Sequence, residues 1–399
     1  MNNSLRLRRI DLIVVALAYL IFVLLGMPDS MLGIAWPDMQ AVFGVTKGEM
    51  GSLLLPSSAA FILVSLTVGQ LISRFGIAKL LIAGCLIRGV GLLGYALAPK
   101  WGELIVMVVF FGMGSGLIDA GLNTHFAVNY NERLMNWLHA SFGLGATIGP
   151  LLMTTVLNLD ASWRIGYGIV ALVQMGLALG IVLTRKGWRI EPNEVAVEAD
   201  GRPVRAAPTG ETLRQVSVWL GILTFFIYAG TEVSAGLWSY SIFTEARGID
   251  AVTAGRWVAI YWGSFTIGRL VFGFIAQRWP TTAMLRVIIG SGILSALLFW
   301  WNPQPWIGFI GLTIFGFTMA PVFPLLTSAT EKRLPRRFAL NAIGYQVGAA
   351  SLGVAVIPSV AGILAERLGL EIIGPYLVVA TIILFLLHEA LVQRTDWRG

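Results

Sequence analysis

Apolar runs of about 20 residues recur from one end of this chain to the other. At 1.5 Å of rise per residue, a helix of that length crosses a hydrocarbon core of roughly 30 Å. The runs fall at 10–36, 50–73, 78–98, 102–126, 136–158 and 164–184, then at 216–242, 253–277, 283–301, 306–328, 340–364 and 372–393. Only 12% of the residues are charged, against about 25% in an ordinary globular domain. That is too few to cover a water-facing surface, so a soluble fold is excluded. Arg6, Arg8 and Arg9 before the first run invite a signal-peptide reading. No small-residue cleavage site follows, however, and the apolar character continues through Gly26-Met27-Pro28-Asp29 to Trp36, so the run reads as a retained first helix. The single Cys85 lies in an apolar run and can form no internal disulfide.

Connections between runs are short except at 185–215, where Glu191, Pro192, Asn193, Glu194, Asp200, Gly201 and Pro203 mark a polar linker. The net charge of +7 is explained without nucleic acid, because cytoplasmic loops of membrane proteins collect Lys and Arg. With the N-terminus placed in the cytoplasm, 20 of the 28 basic residues fall on that side. Six fall opposite (Lys47, Lys100, Arg164, Arg247, Arg256 and Arg367), and Arg88 and Arg269 lie inside helices. Both termini and the linker are therefore expected on the cytoplasmic side of the cell's inner membrane.

The halves echo one another at an offset of 202 to 208. Gly69-Gln-Leu71-Ile-Ser-Arg74 closes the second run and Gly273-Phe-Ile275-Ala-Gln-Arg278 the eighth. Gly145 and Pro150 of the fifth run match Gly353 and Pro358 of the eleventh. Gly26, Asp29, Gly33 and Trp36 of the first match Gly230, Glu232, Gly236 and Trp238 of the seventh. Parallel repeats of this kind form one transporter plan, with substrate near the midplane between them. The expected fold is all-α, with twelve transmembrane helices in two pseudo-symmetric six-helix bundles: 1–184, a cytoplasmic linker 185–215, and 216–399.

The stretch Gly69-Gln-Leu71-Ile-Ser73-Arg74-Phe-Gly76-Ile-Ala-Lys79 resembles the loop signature between helices 2 and 3 of the major facilitator superfamily. That likeness implies a gating role for Gly69, Arg74, Gly76 and Lys79, and for Arg278 in the repeat, although Ser73 stands where the usual acid would be. A narrower likeness lies in Asp119-Ala-Gly-Leu-Asn123, Leu138-His139-Ala-Ser-Phe142-Gly143-Leu-Gly145 and Gly268-Arg269. These motifs are similar to those of the fucose–galactose–glucose proton symporters. In that family acids on helices 1 and 4 are associated with proton coupling, which here points to Asp29 and Asp119.

Three acids, Asp29, Asp119 and Glu232, sit well inside apolar runs. A carboxylate at that depth costs a few kcal/mol on insertion scales, so it faces a cavity or a partner. These are the candidates for proton coupling; fixed helix–helix hydrogen bonds are the bland alternative. Helical spacing puts Gly112, Gly116, Asp119 and Asn123 on one stripe, and Asn136, His139, Gly143 and Pro150 on another. Gly112 and Gly116 also have the spacing of simple close packing. A sugar would use amides, carboxyls and an aromatic wall, for which Asn123, His139, Trp36, Trp238, Gln346 and Asn341 are the candidates. Arg269 lies too deep to stand alone, and Glu232 on the preceding run is its expected ion-pair partner. Arg88 reads as a structural pair with an inner helix.

No phosphate-binding loop, HExxH or CxxC occurs, so neither enzyme chemistry nor a cofactor is expected, and three scattered His with one Cys make a metal site improbable. The expected function is secondary transport of a small polar solute, a sugar, coupled to protons, by a monomer with no nucleic-acid partner. Proton-driven export of drug-like or amphipathic compounds is the alternative; a membrane sensor is disfavoured by the short loops and tails. Topology is open to test. A cysteine introduced as Asn193→Cys, with Cys85 replaced, should resist impermeant thiol reagents added to intact cells, and ready labelling there would overturn the assignment.

Overall fold

The computed structural model describes residues 9–189, 207–275 and 278–396; the middle of the expected linker, 190–206, lies outside the described residues. Among them are twelve helices long and apolar enough to cross a membrane, and no strand. They are α1 Asp11–Phe43, α2 Lys47–Ser65, α3 Ile77–Leu97, α4 Trp101–Asn129, α5 Arg133–Asn158 and α6 Trp163–Leu183, then α7 Val216–Ala246, α8 Ala251–Ile275, α9 Thr281–Trp301, α10 Pro305–Thr330, α11 Arg337–Leu368 and α12 Leu370–Arg394. The chain is a multi-pass membrane protein.

The first helix outruns its expected end by seven residues. α1 passes through Pro37 and stops at Gly44, whose φ of 67° lets Gly44 and Val45 donate to the Gln40 carbonyl at 2.9 and 3.3 Å. Gly76, with φ 82°, likewise separates the short helix Val68–Phe75 from α3. α10 is interrupted between Met319 and Val322, at Ala320-Pro321.

The contacts form two compact units: Met1–Ala35 with Pro56–Asn193, and Trp36–Leu55 with Glu194–Gly399. The division into 1–184 and 216–399 follows the sequence repeat and remains a proposal, because residues 36–55 pack with the second unit. There Lys47 Nζ meets Glu245 at 2.9 Å and the Gly48 N–H donates to Glu366 at 3.1 Å.

Both units repeat one close crossing. In the first, a Cβ at Gly145 of α5 would overlap the Val23 carbonyl of α1, and one at Gly26 would overlap the Phe142 carbonyl. In the second, a Cβ at Gly353 of α11 would overlap the Phe226 carbonyl of α7, and one at Gly230 would strike Ile357 and crowd the Gly353 carbonyl. Lipid tails supply no hydrophobic drive between helices, so association relies on such small-residue contacts. Gly112 and Gly116 of α4 are used in the same way, against the backbone of Ser57 and Phe61 in α2. At these two glycines close packing is the reading that holds.

Substitutions at crossing and open glycines should differ in sign. Gly145→Leu and Gly353→Leu should lower the apparent melting midpoint in detergent, since overpacking costs about 1–3 kcal/mol or more. Gly176→Ala and Gly290→Ala sit mid-helix with nothing within 4 Å of the added Cβ and should be neutral or gain about 0.5–1 kcal/mol. Equal destabilisation at all four would contradict the crossings.

Candidate transport site

Asp29 follows Pro28 midway along α1 and illustrates how the first unit exposes a carboxyl. Its neighbours on α1, Met27, Pro28 and residues 30–36, are all buried, yet its own side chain is exposed. That combination describes a group lining a recess rather than one on the outer wall. The positive charge within electrostatic reach is Arg88 of α3. Asp119 of α4 is equally enclosed and half-buried, and accepts a hydrogen bond from Asn123 Nδ2, one turn on, at 3.2 Å. It continues the stripe of Gly112 and Gly116, one turn past the contact with α2. His139 of α5 is exposed and stands edge-on to Phe22 of α1, ring centroids 6.0 Å apart. Carboxyls so placed can exchange protons with water while the surrounding amides accept or donate to a polar ligand.

In the second unit Glu232 is 9% exposed. The expected ion pair with Arg269 is absent among the described residues: Arg269 lies within electrostatic reach of Glu232 without ion-pair contact. Its guanidinium instead covers the Phe265 ring at 4.5 Å and donates through Nε to the Ala320 carbonyl at 3.4 Å. The α10 break provides the physical reason. Pro324, just past the break, has no N–H, so the Ala320 carbonyl four residues earlier lacks its helical donor and is open to a cation, and a face of Phe265 adds cation–π attraction. Tyr228, one turn before it on α7, brings a buried hydroxyl beside the Glu232 carboxyl, while Tyr261 of α8 donates to the Glu232 main-chain carbonyl at 2.7 Å.

Four further candidates are packed tightly in this structure. Trp36 and Trp238 are fully buried, and the Trp238 indole donates to the Pro358 carbonyl of α11 at 3.0 Å. Gln346 is 2% exposed, accepts from Thr330 at 3.0 Å and leaves no room for a Cβ at Gly221. Asn341 donates to the Ala207 carbonyl at 2.6 Å and to Thr212 at 3.3 Å, tying α11 to the end of the linker. Gly69, Arg74, Gly76, Lys79 and Arg278 are all exposed. No group of three or more His, Cys, Asp or Glu able to hold a metal occurs among the described residues.

Sequence reasoning underrated Arg88. It is fully buried and donates to Ser115, to Gln174 and to the Leu24 and Leu25 carbonyls of α1 at 2.9 to 3.0 Å. Gln174, the amide in an otherwise apolar sixth run, was the available signal.

The Major Facilitator Superfamily model matches residues 18–346, most of the chain. The chain belongs to this superfamily, a family of transporters. Bypass of stop codon protein 6 of Saccharomyces cerevisiae is 25% identical over 93% of the chain and 80% of its own length. The glucose/galactose transporter of Brucella abortus (strain 2308) is 20% identical over 88% of each. Among solved structures, a bacterial homologue of the human lysosomal transporter Spinster superposes with a TM-score of 0.81 at 13% identity, over 95% of this chain and 96% of that one. The fucose:proton symporter of E. coli does so at 0.62 and 17%, over 95% and 98%. The fold is thus that of the superfamily, and the likeness to the sugar symporters read from the helix 4, 5 and 8 motifs is matched by these relatives.

The geometry at Glu232 and Arg269 predicts weak coupling. In a double-mutant cycle of Glu232→Gln and Arg269→Gln, read by detergent melting, the interaction energy should stay below about 1 kcal/mol. A coupling of about 3 kcal/mol or more, as expected when one partner of a buried ion pair is stranded, would restore the pair.

Proposed function

We propose that this protein moves a sugar across the cytoplasmic membrane by alternating access, coupled to protons, with both termini inside. The observation that carries the reading is the pair of enclosed carboxyls on α1 and α4: Asp29 open to solvent, Asp119 bonded to the amide of Asn123. A carboxyl that exists only to join helices has no need of a path to water, whereas a proton carrier requires one. The Asp119–Asn123 pair also offers an acceptor and a donor to the hydroxyls of a sugar. The names of the relatives support the substrate class, one a glucose/galactose transporter and one structural neighbour a fucose:proton symporter.

Asn123 and His139 are assigned to substrate, Asp29 and Asp119 to protons. Glu232 has the second unit's deepest carboxyl, and its lack of a salt bridge leaves it free to serve as a further proton group. Trp36, Trp238, Gln346 and Asn341 would meet substrate only in a state in which their present packing opens. Gly69, Arg74, Gly76, Lys79 and Arg278, at the exposed helix ends and turns of the basic side, are assigned to closure of that side, and Arg269 to support of the α10 break.

The test is uptake of labelled glucose, galactose and fucose into proteoliposomes with an inside-alkaline pH gradient. Wild-type protein should accumulate at least one of them. Asp119→Asn, which keeps shape and hydrogen bonding but cannot titrate, should abolish accumulation while sparing exchange of labelled for unlabelled sugar. No uptake of any sugar, with gradient-driven movement of amphipathic dyes instead, would favour the export reading. Full accumulation by both Asp29→Asn and Asp119→Asn would remove the proton assignment.

A further inference from the structure

Pro28 interrupts the hydrogen-bond ladder of α1 one residue before Asp29. A proline has no N–H, so the carbonyl four residues earlier, that of Leu24, loses its helical donor. In a dry bilayer interior such an orphan is costly and must be satisfied by another part of the protein. Here the donor is Arg88 of α3. Its Nη1 reaches the Leu24 carbonyl at 3.0 Å and its Nη2 the Leu25 carbonyl at 3.0 Å. The same guanidinium is held from three other directions: Nε donates to Ser115 Oγ of α4 at 2.9 Å, Nη1 to Gln174 Oε1 of α6 at 3.0 Å, and Phe111 lies under it at 4.9 Å. Ser115 is itself anchored to the Phe111 carbonyl at 2.8 Å. Four of its five N–H groups are therefore bonded to neutral acceptors, with no carboxylate within ion-pair distance among the described residues.

A full positive charge, completely buried and without a contacting anion, is unfavourable unless something nearby compensates it. The titratable groups around Asp29 come from each helix packed on this part of α1. α3 brings Arg88 and Tyr95. α6 brings Tyr167, whose ring stacks on Tyr95 at 4.4 Å and whose hydroxyl reaches the Pro28 carbonyl at 3.5 Å, with Arg164 farther out against Trp163. α5 meets Val23 to Met27 through Phe142, Gly145, Ala146 and Gly149, and its His139 lies toward Phe22. Of these, Arg88 is the cation bonded to α1 itself, at the Leu25 carbonyl one helical turn before Asp29.

We propose that Arg88 is a positioning residue for proton coupling: it closes the Pro28 break in α1 and supplies the fixed positive charge against which Asp29 is charged and discharged. The second part rests on the assignment of Asp29 to protons made above; the first does not. Because the guanidinium is bonded to α1, α4 and α6 together, any change in Asp29 is felt at the junction of three helices rather than on one side chain.

Two properties separate the parts, and both can be read on the purified full-length protein without knowing the substrate. The first is melting. Arg88→Gln strands the Leu24 carbonyl and should lower the midpoint. Adding Pro28→Ala restores an N–H to that carbonyl, so the double variant should recover most of the loss. No recovery, with Pro28→Ala harmless alone, would overturn the closing role.

The second is the pH dependence of melting between pH 5 and 8, followed also in sugar uptake where uptake is found. A fixed charge one turn away helps set where a carboxyl exchanges its proton. In Pro28→Ala/Arg88→Gln, compared with Pro28→Ala, the pH-dependent step should be displaced, and Arg88→Lys should leave it near the wild-type position. An unmoved step, or an equal displacement in Arg88→Lys, would overturn the charge role. Asp29→Asn is the control for the underlying assignment. Loss of the step in that variant shows that Asp29 is the titrating group. If the step persists unchanged there, the proton assignment of Asp29 fails and the charge role fails with it, while the melting comparison still decides the closing role.

Discussion

Hydrocarbon offers no hydrogen bonds, and every irregular backbone group inside the bilayer must find a partner within the protein. The helices of this chain are long and uninterrupted where that rule is easy to obey, and supported by a side chain where it is not. α1 breaks its ladder at Pro28 and receives Arg88. α10 breaks at Ala320-Pro321 and receives Arg269 at the Ala320 carbonyl. The two arginines inside helices that stood out in the sequence thus share a physical role, each donating to a carbonyl that a proline four residues later leaves without its helical donor.

The second constraint is distance. α1 and α5 approach closely enough that backbone carbonyls occupy the space of absent side chains, at Gly26 and Gly145, and α7 and α11 do the same at Gly230 and Gly353. These crossings set the height and rotation of α1 and α7, the helices that carry Asp29 and Glu232. The carboxyls sit three and two residues beyond the glycines, so the packing that joins the helices also aims the acids.

Hydrophobic run length made the twelve spans legible, and the offset of 202 to 208 foretold the paired crossings, because both are properties of single segments. The Asp119–Asn123 bond was legible for the same reason, being one helical turn. What the sequence could not reveal involved rotation between neighbouring helices. Glu232 and Arg269 sit at similar depths on consecutive helices, but α8 turns its arginine toward Phe265 and α10 instead. Gln346 and Asn341 carry the right chemistry for a sugar, yet the first packs against Thr330 and Gly221 and the second against the end of the linker. Arg88 was recognisable as structural, but its partners, two main-chain carbonyls, have no signature in any side chain. Pro28 was the clue: a proline inside a span implies a donor somewhere else.

The central claim is that sugar and protons cross together, and proton movement itself measures it most directly. Unlabelled glucose, galactose or fucose is added outside lightly buffered proteoliposomes carrying no pH gradient, and the external pH is followed with an electrode. Coupled entry predicts a transient rise in external pH on addition of the transported sugar, abolished by a protonophore and absent in Asp119→Asn. Sugar entry at the same rate with no pH change in the wild-type protein would contradict the account.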